Sequence, residues 1–219
     1  MKIKGKIILP HVYLLTFDTQ YELCMSFVRV QEFYESDSSK FKGKYFTLEE
    51  YMDYWSIKYG KGSFTYPSVW GGFNISSEVY YRWKNIFIST FRYREHELDY
   101  EIYNLIKKDY NDSNFYGKKF YIIGVYKQED DGTIAHETAH ALYHLYPQYK
   151  KSCKKLLKSV PKKKLNADKK VLLGMGYCSS VLDDELQAYY SADKKNDLRC
   201  IQALPQFFNN LEGFKKSLK

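Results

Sequence analysis

The sequence predicts a mostly helical α+β protein, with a small mixed or antiparallel sheet flanking one buried helix. Three observations predict it. Residues 3–9, 12–17 and 120–126 are short apolar runs of strand length, too few for an all-β fold. Elsewhere apolar side chains recur three and four residues apart, the period of a helix with one face turned inward. The segment 134–145 is apolar nearly all round, which marks a helix enclosed by the rest of the protein.

From the N-terminus, 3–9 and 12–17 form strands separated by Pro10 and His11. Residues 20–34 form a helix with Leu23, Phe27, Val30 and Phe33 or Tyr34 inward. A polar loop, 35–44, leads to Thr47-Leu-Glu-Glu50, a capping box that opens a helix to about Lys58, with Tyr51 and Trp55 four apart. Residues 60–74 combine glycines, a proline and large aromatics and read as irregular. Loops carry function more often than scaffolds do. Tyr66, Trp70 and Phe73 are therefore candidates for one wall of a substrate cleft, although the packing of a connecting loop accounts for them equally well.

Ser76 or Ser77 caps a helix to about Thr90, with Val79, Trp83, Ile86 and Phe87 inward. A helix over 95–109 turns Leu98, Ile102, Leu105 and Ile106 inward, and 111–119 is a turn-rich connector to the strand at 120–126. Beyond the enclosed helix, 149–160 and 165–174 are helices split by Pro161, the second ended by Gly174-Met-Gly176. A helix over 181–190 and a closing one over 198–218, broken near Pro205, complete the chain.

The enclosed helix contains His136-Glu137-Thr138-Ala139-His140, an HExxH pattern. Asp131 or Thr133 offers a capping oxygen, no Gly or Pro interrupts 134–145, and Pro147 ends the helix. Two histidines four apart lie on one helix face, about 5–6 Å between Cβ atoms. Both rings can then reach one zinc ion at about 2.0–2.1 Å. Glu137, beside the first histidine, is placed to act on a water molecule as general base. A solvated amphipathic helix can carry the same letters by chance, but the apolar surroundings of this one speak against that. The chemistry expected is metal-assisted hydrolysis, with a peptide or protein as substrate.

Zinc in a catalytic site takes three protein ligands and leaves one position for water. His144 lies eight residues from His136, about 12 Å along a helix, too far to share the ion. The extension HExxHxxGxxH is absent, because Tyr143 and Tyr146 occupy its glycine and third histidine places. The better candidate is Glu185, followed three residues on by Ala188, small enough for two helices to approach closely. Asp184 is the alternative carboxylate.

Over about 133–190 the chain here resembles the gluzincins, the HExxH metallopeptidases whose third ligand is a glutamate on a later helix. The resemblance implies a zincin-like fold with His136, His140 and Glu185 as zinc ligands and Glu137 as base. It also implies that the strand before the HExxH helix forms a cleft rim to which extended substrate adds by β-augmentation. In thermolysin-like members an aspartate four residues after the glutamate orients a histidine, but Tyr189 stands there. Asp183, Asp184 and Asp193 are the candidates to hold His136 or His140 by the other ring nitrogen. Asp183 and Asp184 also fit an ordinary acidic first turn. An oxyanion donor is sought among Tyr177, Tyr189, Tyr190 and His144.

The 219 residues suit a single domain, with 1–115 as a cleft wall or cover and 116–219 as the metal-binding core. No apolar run is long enough to span a membrane. Cys24, Cys153, Cys178 and Cys200 form no CxxC pair, which fits a reducing, cytoplasmic compartment. The net charge of +8 draws heavily on lysines in 150–170. Lys150, Lys151, Lys154, Lys155 and Lys158 fall at helical spacing around Cys153, Leu156, Leu157 and Val160, as on the solvated face of an amphipathic helix. Nucleic-acid binding is the weaker account of them, although a basic rim can favour acidic substrates. Two other functions stand beside the peptidase: a non-catalytic, zinc-stabilised binding module, and a basic nucleic-acid-associated protein in which HExxH is accidental.

Overall fold

A computed structural model describes residues 3–112, 117–127, 131–175, 177, 179–192 and 204–219. The protein is α+β and mostly helical, with one four-stranded mixed sheet among the described residues. The chain divides into two compact units, Met1–Glu129 and Asp130–Lys219.

The first unit holds the sheet. Strands β1 (Lys4–Leu9) and β2 (Val12–Phe17) form an antiparallel hairpin. Its tip carries His11 at φ 62°, a left-handed conformation that costs a non-glycine residue about 1–2 kcal/mol. The residue is held there from outside the hairpin. Asp109 Oδ2 accepts from the His11 backbone N–H at 3.0 Å and from Tyr13 Oη at 2.9 Å, and it lies 2.6 Å from the His11 ring Nδ1. The imidazole also stacks on Tyr110.

Helix α1 (Gln20–Glu35) starts at Thr19, whose hydroxyl accepts from Glu22 N–H. It buries Leu23, Phe27, Val30 and Phe33, whereas Tyr34 faces solvent. Helix α2 (Leu48–Lys58) begins at the expected capping box. Thr47 N–H donates to Glu50 Oε2 at 2.7 Å and Glu50 N–H to Thr47 Oγ1 at 3.2 Å.

Residues 60–74 depart from the reading of them as irregular. A 3-10 turn at Tyr66–Ser68 precedes a third strand, β3 (Gly72–Ser76). Phe73 and Ile75 are its buried positions, alternating with polar ones. The glycines hid this strand, and pairing with a neighbour supplies what local propensity lacks. The proposed cleft wall is corrected with it. Tyr66 and Phe73 are core residues, fully or almost fully buried, and Phe73 stacks on Phe27 at 5.2 Å. Trp70 is the one of the three that reaches the surface.

Ser76 caps helix α3 (Ser77–Phe87), which continues as a 3-10 turn to Thr90. Its inner face is Val79, Tyr80, Trp83 and Phe87; Ile86, expected inward, is exposed. Helix α4 (Tyr93–Tyr110) buries Leu98, Ile102, Leu105 and Ile106 as its period predicts. A buried ion pair, Arg29 with Glu95, ties α1 to α4.

Strand β4 (Tyr121–Tyr126) closes the sheet in the order β1-β2-β4-β3. It pairs in parallel with all of β2 and antiparallel with β3, from Val125 opposite Gly72 to Tyr121 opposite Ser76. The expectation that β4 offers an edge to extended substrate fails on this point. Its backbone is hydrogen-bonded on both sides, to β2 and to β3.

The second unit is helical: α5 (Asp131–Leu145), α6 (Pro147–Ser159), α7 (Lys162–Gly174), α8 (Leu182–Ala192) and α9 (Pro205–Ser217). Helix α5 starts earlier than predicted, so Asp131 and Thr133 lie inside its first turn. Pro147 and Pro205 each open a helix at its first turn, where a missing N–H costs nothing. Helices α6 and α7 likewise begin two and three residues before the expected 149 and 165. The predicted helix over 198–204 and the stop at Gly176 lie mainly outside the described residues. Helix α6 buries Tyr149, Cys153 and Leu157 and exposes Lys150, Lys151, Lys154, Lys155 and Lys158, the solvated face predicted. Leu157, Leu172, Leu182, Leu186, Tyr190 and Phe207 form the apolar core here. Cys24 and Cys153 are buried free thiols. Among the described residues no helix is long and apolar enough to cross a membrane.

Candidate metal centre

The second unit brings α5 and α8 together, with Ala135, Ala139 and Ala188 buried. These small side chains leave room for the larger polar groups beside them. His136 and His140, one turn apart on α5, turn their Nε2 atoms toward each other at 3.0 Å. Glu185 on α8 sets Oε2 at 3.8 Å from His136 Nε2 and 3.7 Å from His140 Nε2.

A triangle with these sides has a point about 2.0 Å from every corner, the length of a zinc–nitrogen or zinc–carboxylate bond. Two imidazoles and a carboxylate are also the donor set of a catalytic zinc site. The residues present thus fit a zinc ion both in donor chemistry and in spacing. His136, His140 and Glu185 are the three-ligand group found among the described residues.

The ring nitrogens away from this point have partners of their own. His140 Nδ1 lies 2.9 Å from Asp184 Oδ1. Gln187 Nε2 donates to the same oxygen at 3.0 Å. The His136 ring meets Tyr189 edge to face at 4.6 Å, and Tyr189 Oη lies 3.2 Å from Tyr177 Oη. Tyr189 thus packs its ring on His136 and offers it no carboxylate.

The electrostatics of the two histidines differ. Burial pushes His136 well below the usual imidazole range, and charge on His140 pushes the same way. Burial would also lower His140, but the Asp184 carboxylate at Nδ1, with Glu185 and Glu137 nearby, outweighs it and raises His140 to about 10.

Glu137 is 9% exposed on the same helix, beside His136, and its charge acts on both His140 and Tyr177. Burial raises the Tyr177 phenol far above its ordinary range, with Glu185, Tyr189 and Glu137 adding to the effect. Tyr177 is therefore a hydrogen-bond donor and not an anion at any ordinary pH.

The remaining candidates separate. Asp183 is exposed and pairs with Lys169. Asp184 faces away from the ligand triangle and holds His140 from behind. Asp193 lies outside the described residues. Tyr190 is fully buried and donates to Asp168, away from the histidines. His144 is exposed, a turn beyond His140, and is not in the three-ligand group. Gln187 and its partner Tyr149 were not singled out from sequence. The signal available was position, since Gln187 follows Asp184 by one helical turn and lies on the same face of α8.

No protein-family model, no curated protein and no solved structure matches this chain.

Proposed function

We propose that the chain is a zinc-dependent metallopeptidase of the HExxH…E type. The observation that carries this reading is the cluster of His136 Nε2, His140 Nε2 and Glu185 Oε2, with Glu137 buried on the same helix and its charge acting on His140. Zinc supplies Lewis acidity when bound: it lowers the pKa of water and polarises a carbonyl.

The chain's own residues do the rest. His136, His140 and Glu185 would hold the ion. Glu137 takes the proton of the attacking water and passes it to the leaving amine, as general base and then general acid. Tyr177, kept protonated by burial and by the two glutamates, donates a hydrogen bond to the oxyanion that develops at the scissile carbonyl. Tyr189 fixes the plane of the His136 ring and the position of the Tyr177 hydroxyl. Asp184 keeps His140 oriented.

Metal analysis with two variants tests the reading. Purified protein is expected to carry about one zinc per chain, lost in His136→Ala. Glu137→Gln should keep its zinc and lose turnover of a peptide library by about 10²–10⁴-fold. Zinc retained with no turnover by the parent protein would favour a structural metal site instead.

A further inference from the structure

We propose that Gln187 is a positioning residue of the metal centre: it holds Asp184 so that His140 presents Nε2 to the ion, and it takes its own orientation from Tyr149. The inference rests on the zinc-site part of the reading above and is independent of peptidase activity.

Gln187 is fully buried on α8. A buried amide must satisfy an acceptor and donors inside the protein, and this one does so asymmetrically. Its Nε2 donates to Asp184 Oδ1 at 3.0 Å. Its Oε1 accepts from Tyr149 Oη at 3.0 Å and from the Cys153 thiol at 3.7 Å. Turning the amide over would set its oxygen against Asp184 Oδ1, two acceptors at contact distance with no proton between them. The amide therefore has one orientation.

The consequence passes to the histidine. Asp184 Oδ1 receives the Gln187 bond and also lies 2.9 Å from His140 Nδ1. An ionised carboxylate oxygen only accepts, so Nδ1 must carry the proton. That leaves Nε2 of His140 as the nitrogen for a metal, and Nε2 is the atom aimed at His136 and Glu185. The carboxylate behind a histidine of α5 is thus held in place, through Gln187 on α8, by a hydroxyl on α6.

The network is anchored further out. Asn210 Nδ2 on α9 donates to Cys153 Sγ at 3.4 Å, and Ser152 Oγ donates to Asn210 Oδ1 at 2.9 Å. Burial pushes the Cys153 thiol up to about 12, so it remains a donor to Gln187. A fully buried position between helices is as easily filled by leucine or methionine. The amide is explained by what it holds.

The test compares the full chain with Gln187→Glu, close in shape but without the amide donor, and Tyr149→Phe, which loses only the hydroxyl. Zinc affinity is read by competition with a chromophoric chelator, coordination by the visible spectrum of the cobalt-substituted protein, and the His140 tautomer by long-range ¹H–¹⁵N correlation on the zinc-loaded protein. Circular dichroism checks that each variant is folded. Gln187→Glu is expected to bind zinc about 10–100-fold more weakly. Tyr149→Phe should weaken it in the same direction by about 2–10-fold. Both should change the cobalt spectrum and admit the other tautomer of His140. Folded variants with parental affinity, spectrum and tautomer would overturn the proposal while leaving the zinc site standing. If Gln187→Glu does not fold, Tyr149→Phe decides alone on the same readouts. A parent protein that takes up no zinc would remove the metal reading and this proposal together.

Discussion

Asp184 and Glu185, neighbours on α8, engage the same imidazole from opposite sides: Asp184 Oδ1 lies 2.9 Å from His140 Nδ1 and Glu185 Oε2 3.7 Å from its Nε2. The two carboxylates look alike in sequence and differ in role. Glu185→Ala removes a proposed ligand and is expected to abolish tight zinc binding. Asp184→Asn leaves an acceptor for Nδ1 but removes the charge that makes the ring a stronger ligand, and should cost about 10–100-fold in affinity. Chelator competition on the two variants measures the difference; equal losses would put Asp184 in the coordination sphere.

Zinc uptake should release a proton near neutral pH. His140 is raised to about 10, so in the metal-free protein it is charged at pH 7, whereas His136 is held neutral. A ligating imidazole must give up its proton. Affinity should therefore increase as pH rises toward 10, by about tenfold per unit, and weaken as pH falls. Calorimetry in buffers of different ionisation enthalpy counts the proton directly. A binding enthalpy that does not vary with the buffer would contradict this.

Tyr177→Phe is expected to leave zinc affinity within about twofold and to lower kcat by about 10²–10³-fold. Tyr189→Phe removes the hydroxyl partner of Tyr177 but keeps the ring on His136, so its effect on kcat should be smaller. Steady-state kinetics on any cleaved peptide separates the two. A rise in KM alone for Tyr177→Phe would make it a substrate-binding residue.

In the first unit, Gly124 of β4 faces α1 so closely that an added Cβ would sit 2.7 Å from Phe27 Cε2 and 3.0 Å from Leu23 Cδ1. Gly124→Ala should destabilise this unit by about 1–3 kcal/mol through overpacking. Denaturant melts followed by tryptophan fluorescence test it, since all three tryptophans lie in this unit.

The readable parts of this chain were those that repeat locally. The capping box at Thr47, the inward face of α4 and the amphipathic α6 all follow from spacing alone. The candidate ligands were legible for the same reason, because HExxH is one helical turn and Glu185 precedes Ala188 on another. What escaped was decided by neighbours distant in sequence. β3 is a strand because β4 lies beside it, and Tyr66 is core because α1 and α2 close over it. The orientation of Asp184 toward His140, and not toward His136 or solvent, depends on where α8 crosses α5. No periodicity in either helix encodes that crossing.

The parallel pairing of β2 with β4 joins residues 12–17 to residues 121–126. During synthesis the β1–β2 hairpin emerges first, and a lone hairpin is marginally stable in water. Its parallel partner leaves the ribosome only after more than a hundred further residues have been added, so the sheet is a late event. Nascent chains stalled before residue 126 should stay open to protease across their entire length, whereas chains released beyond it should gain a protected fragment in one step.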